Sequence, residues 1–139
     1  MNTAKKERAH SMIVSQQRLG EALRNLPDRS ALSRSSLARV SYVQRLADER
    51  YRGRLMARGL ALREVLLGCV ESVVLDIGNE PALSREREYL VLLKDGLSCK
   101  EISGRLGLSR EHISRVYRKR ALELVTEAFL RVVGNNEQG

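Results

Sequence analysis

The stretch Leu97-Ser98-Cys99-Lys100-Glu101-Ile102-Ser103-Gly104-Arg105-Leu106-Gly107-Leu108-Ser109-Arg110-Glu111-His112-Ile113-Ser114-Arg115-Val116 decides how this chain is read. It holds two helix starts in close succession. Ser98 followed three residues later by Glu101 is a capping box, in which the serine oxygen satisfies an orphan N–H of the first turn and the glutamate reaches back. Leu97 and Ile102 bracket it as a hydrophobic staple. Gly107 stops this helix after Leu106, because glycine takes the left-handed exit conformation without strain. Ser109 then caps a second helix, with Leu108 and Ile113 as its staple. Two helices joined by a turn of about three residues around a glycine predict a helix-turn-helix.

The internal spacing fits. With Cys99 as the first of twenty positions, Ile102, Leu106, Leu108, Ile113 and Val116 fall at the fourth, eighth, tenth, fifteenth and eighteenth. Side chains there hold two such helices at their crossing angle. Gly107 is the ninth residue, in the turn, and Ser103 the fifth, where the helices touch and a small residue is needed.

Outward from this stretch the pattern stays helical. Upstream, Ser84 is the expected N-cap of a helix with Glu86 in its first turn and Tyr89, Leu90, Leu92 and Leu93 as its apolar face; Asp95-Gly96 ends it. Before Pro81, the series Leu62, Val65, Leu66, Cys69, Val70, Val73, Val74, Ile77 is the stripe of a core-facing helix, stopped by Gly78-Asn79. This stripe is either the core of the N-terminal half or a dimer or partner surface. Leu37, Val40, Val43, Leu46 and Ala47 mark a helix reaching Tyr51, with Gly53 as its end or bend. Residues 27–35 read as a Ser/Arg-rich connector. Met12, Leu19, Leu23 and Leu26 mark a first helix that Pro27 ends. Downstream, Leu124, Val125, Ala128, Phe129 and Val132 prolong an apolar face, which either pairs two copies or folds back on the N-terminal half. No strand-type alternation occurs. The expectation is an all-α chain: a flexible basic tail over 1–11, a helical N-terminal region over 12–80, a helix-turn-helix domain over 82–133 and a tail over 134–139.

Composition narrows the class of function. The chain has 139 residues, 42% hydrophobic but 4% aromatic and without Trp, which suits helix-on-helix packing of aliphatic side chains. Its formal net charge is +8, which favours polyanionic partners. Residues 1–60 carry 13 Lys and Arg against 5 Asp and Glu, residues 61–81 carry 1 against 4, and residues 82–133 carry 11 against 7. Two basic blocks thus flank an apolar, mildly acidic segment. Cys69 and Cys99 lack metal spacing and read as buried, reduced thiols. No secretory or membrane-spanning run is found, so a cytoplasmic protein is expected. No phosphate-binding glycine loop, metal spacing or nucleophile–base pair is present. His10 falls in the expected tail and His112 in the second helix of the motif. No enzyme activity, catalytic residue, cofactor or metal is expected.

In a helix-turn-helix the second helix enters the major groove N-terminus first. Its outward residues here, Ser109, Arg110, Glu111, His112, Ser114 and Arg115, are the candidates for reading bases: arginine pairs with guanine, glutamate accepts from cytosine, and His and Ser reach either bases or phosphates. Lys100, Arg105, Arg118, Lys119 and Arg120 are the candidates for the DNA backbone. Residues 110–120 hold five positive side chains and one negative.

The segment Leu83-Ser84-Arg85-Glu86-Arg87-Glu88-Tyr89-Leu90 through Gly96-Leu97-Ser98-Cys99-Lys100-Glu101-Ile102 resembles the DNA-binding domain shared by LuxR-type regulators and sigma factor region four. Leu108 to Val116, followed by Arg120-Ala121-Leu122, is more similar to sigma region four. The resemblance covers about 83–125. It implies a domain that reads promoter DNA and lies beside RNA polymerase, with Arg110, Glu111, Ser114 and Arg115 on the base-reading face. The run Tyr117-Arg118-Lys119-Arg120-Ala121-Leu122 is one residue longer than the sigma spacing before Ala-Leu, which implies a different phase for the far end of the helix. The N-terminal half lacks the aromatics of sigma region two, so a complete sigma factor is not implied. Size and layout also resemble phage late transcription regulators of the ArpU and RinA kind and phage antitermination proteins. The expected function is that of a bacterial or phage transcription regulator binding duplex DNA sequence-specifically as a homodimer. The alternative is a factor that binds RNA polymerase or a sigma factor, with weak DNA binding of its own. RNA binding by the basic first 60 residues is a third reading.

Overall fold

Leu19, Leu23 and Leu26 repeat at helical spacing, and in the computed structural model, which describes residues 16–137, they are buried on one face of α1 (16–24) and the turn after it. Met12 and the basic tail lie outside the described residues. The expected connector at 27–35 is instead a helix, α2 (Arg29–Arg34). The Asp28 carboxylate caps it by accepting from the Ala31 N–H at 3.1 Å, and Leu32 anchors it in the core. Two adjacent apolar residues in six, Ala31 and Leu32, leave no periodicity to read. A 3-10 turn (Ser36–Arg39) leads into α3 (Ser41–Arg50), which buries Val43, Leu46 and Ala47. The helix ends one residue before Tyr51.

The central element is α4 (Ala57–Ile77). Leu62, Leu66 and Val70 on it are fully buried, and it packs against α2, α3, α5 and α8. Burying each such aliphatic side chain contributes about 1.5–3 kcal/mol. Its stripe is therefore core, the first of its two readings. The crossing with α2 is close because Gly59 has no side chain: a Cβ there would stand 2.5 Å from Ser33 Oγ and nearer still to the Arg29 carbonyl oxygen. The Gly59 N–H donates to Ser33 Oγ at 3.1 Å.

Gly78, at φ +52°, closes α4, and Pro81 opens a 3-10 turn that runs directly into α5 (Ser84–Lys94). Ser84 is consequently the first helical residue and not the cap expected of it; no side chain caps this end. Tyr89, Leu90 and Leu93 are buried, whereas Leu92 is half-buried. The next helix, α6 (Cys99–Leu106), carries the full capping box. The Glu101 N–H donates to Ser98 Oγ at 3.3 Å, and the Ser98 N–H donates to Glu101 Oε1 at 3.1 Å. That backbone donor holds the Glu101 carboxyl below the usual glutamate range. Gly107 turns at φ +66°. Ser103 Oγ donates to the Leu108 carbonyl, and the Leu108 N–H returns a bond to the Ser103 carbonyl at 3.3 Å.

From Arg110 to Glu137 the chain is helical without a break: α7 (Arg110–His112), a π-helical stretch (Ile113–Arg118) and α8 (Lys119–Glu137). Ile113 and Ala121 are both buried although eight residues separate them, more than two regular turns hold. The wider π turns take up the surplus. They carry Val116 off the packed face, so the expected inter-helix contact is exposed, and Tyr117 and Arg118 are half-buried instead. In α8, Ala121, Val125, Ala128 and Phe129 are buried against α3, α4 and α5. The face that was open to two readings thus folds back within the chain, and those residues are closed to a second copy. The helix continues past the expected tail start at 134. Residues on both sides of Pro81 share one buried cluster. The fold is all-α, with no strand among the described residues, and no described helix is long and apolar enough to cross a membrane.

Candidate nucleic-acid interface

The Gly107 turn sets two short helix starts, α6 and α7, side by side at the surface. Ser109 does local work there: its oxygen accepts from the His112 N–H at 3.1 Å, so the hydroxyl expected to read a base caps α7. The residues that follow fall into separate ridges. Glu111 and Arg115 are one helical turn apart, both highly exposed, and ion-paired at 3.3 Å. Such an exposed pair is worth less than about 1 kcal/mol and opens readily when either partner finds a better one. His112 is exposed and packs edge-on to Tyr117, with ring centroids 5.4 Å apart at 75°. Arg110 and Ser114 lie on another ridge, and with Ile113 they line a recess against α1 and the start of α6.

The backbone candidates also divide. Lys100 is exposed in the first turn of α6, and Lys119 and Arg120 are exposed at the end of the π stretch. Arg105 lines a different groove, between α5 and α6, with Arg87, Val91 and Leu92. Arg118 turns inward. Its guanidinium approaches Gly20 of α1, and it lines a small recess together with Tyr89. Burial pushes the Tyr89 phenol above its ordinary pKa, and Arg118 pulls partly against that rise.

Two residues that the sequence gives no functional sign of join this surface. Cys99 was expected to be buried. As the first residue of α6 it is exposed, and it lines the same recess as Arg110 and Ser114. Arg24, on α1, reaches that recess from the other half of the chain. Nothing in their local spacing signals this, because the contact is made across 75 residues or more of sequence. Between Ser109 and Leu124 the exposed charged side chains are Arg110, Arg115, Lys119 and Arg120 against Glu111 and Glu123. Among the described residues, no His, Cys, Asp and Glu side chains gather as a metal-holding set. No family model, curated protein or solved structure matches the chain.

Proposed function

We propose that this chain is a transcription regulator that binds duplex DNA through a helix-turn-helix formed by α6, the Gly107 turn and α7 with its π-helical continuation. The observation that carries the reading is the coincidence of two side-chain-capped helix starts around Gly107 with an exposed cationic surface on the second helix. Capping fixes the helix ends that would meet DNA, and the positive ends of both helix dipoles favour phosphate. Arg110 and Arg115 are the proposed base readers, with Glu111 released from Arg115 on binding. Lys100, Lys119 and Arg120 supply salt-dependent affinity.

The test is selection of bound duplexes from random DNA, with and without RNA polymerase. A defined motif should emerge without polymerase. Arg110→Ala or Arg115→Ala should then weaken binding by about 1–3 kcal/mol and relax one position of the motif. No enrichment over random DNA without polymerase overturns the reading. A homodimer would enrich two half-sites about 34–36 Å apart, and a single half-site means that one copy binds alone. The second reading is a factor that docks on RNA polymerase or a sigma factor. What favours it is the loop before α4, where Leu55 is 84% exposed beside Met56, itself held at φ +59°. Enrichment only in the presence of polymerase supports that reading.

A further inference from the structure

The recess beside α7 has a volume of about 260 Å³ and is lined by Arg24, Cys99, Arg110, Ile113, Ser114 and Arg118. A smaller recess adjoins it, shares Arg24, Cys99 and Arg118, and includes Tyr89 in its wall. Three arginines, from α1, α7 and the π stretch, thus line one recess. Among the described residues no carboxylate lines either recess, and none pairs with these three arginines. Like charges drawn together repel, and an anion between them reverses the sign of that interaction.

We infer that this recess seats a phosphate group, held by Arg24 and Arg118 with the Ser114 hydroxyl as a further donor, while Arg110 in its wall adds positive charge and keeps its fork for the bases. The donor set is matched to phosphate. Arginine forks pair with its oxygens two at a time, and the three positive charges lining the recess exceed what one carboxylate balances. The recess opens at the surface beside the proposed reading helix, so the phosphate is one of the DNA backbone; in this the inference rests on the DNA-binding reading. Its new element is Arg24. It lies far outside the helix-turn-helix and makes the first helix part of the binding surface.

The chain carries its own reporter for this site. Of its two cysteines, Cys69 is buried, its thiol pushed up to about 11 by burial, while Cys99 lines the recess and is exposed. Alkylation of the full chain by iodoacetamide therefore reads Cys99. The experiment measures that rate with a selected duplex, and with inorganic phosphate against chloride at matched ionic strength. It also measures the salt dependence of duplex affinity for the wild type, Arg24→Gln, and Arg18→Gln as a control on the same helix. The duplex should slow alkylation several-fold. Arg24→Gln should lower the slope of log affinity against log salt by about 0.9, the value of one lost phosphate contact, without altering the selected motif. Arg18→Gln should leave that slope nearer the wild-type value. If the wild type binds DNA but Arg24→Gln keeps the wild-type slope and protection, the phosphate site is wrong and the DNA reading stands. If no duplex binds but inorganic phosphate slows alkylation in an Arg24-dependent way, the site stands with a free phosphate as its source, and the DNA reading fails. If neither slows alkylation, the inference is overturned.

Discussion

Gly59 is buried where α2 crosses α4, and a methyl group there meets the Arg29 carbonyl oxygen and Ser33 Oγ at once. Neither can yield cheaply, since one is backbone and the other accepts the Gly59 N–H. Gly59→Ala should therefore destabilise the protein by about 1–3 kcal/mol in urea unfolding, as overpacking does. Gly68 is the contrast, in the same helix with open space around its Cβ position. Gly68→Ala should raise stability by about 1 kcal/mol, the helix-propensity difference alone. Equal effects at the two sites would show that the α2–α4 contact is not close. The pair also shows what a sequence reveals at this scale. Gly107, Ser98 and Ser109 could be assigned roles because their partners lie within a few residues. Gly59 touches residues 26 and 30 positions away, and Arg24 shares a recess with Cys99 across 75. Those roles exist only once the chain has folded.

Among the elements, α6 depends most on its caps. It has eight residues, well short of the length at which a helix persists alone, and buries Ile102 as its one fully enclosed side chain. Ser98→Ala removes the acceptor for the Glu101 N–H and should cost about 1 kcal/mol. The loss should appear as faster amide exchange confined to the first turn of α6, with α4 unchanged. Uniformly faster exchange would mean that the box stabilises the whole fold and not its own helix. The long helices were legible as elements because each carries a repeating apolar stripe. The two departures have physical causes that a stripe cannot encode. The helix α2 rests on one capping carboxylate and one leucine. The π stretch preserves burial of Ile113 and Ala121 by changing the turn, so residue counting alone places Val116 on the wrong face.

In the whole molecule, Phe129 ties the last helix into a cluster that begins at Leu19. Phe129→Ala should cost about 3–5 kcal/mol, the usual loss for emptying a buried aromatic site. Because the cluster is shared, amides of α4 and α8 should lose protection together, in one opening reaction. Early loss in α8 alone would show two independently folding parts. The all-helical class was legible throughout. The packing of α8 onto α3 and α4 was one of two open readings, because an apolar stripe states that it must be covered and not by what. The unbroken helix from Arg110 to Glu137 has a genetic consequence. Its exposed first turns take their direction from its buried last ones, with no hinge between them. Whatever the exposed end holds, heat-sensitive alleles of this protein should map to core positions such as Val125 and Phe129 as readily as to the surface that makes contact, and they should be suppressed by second-site changes that restore packing alone.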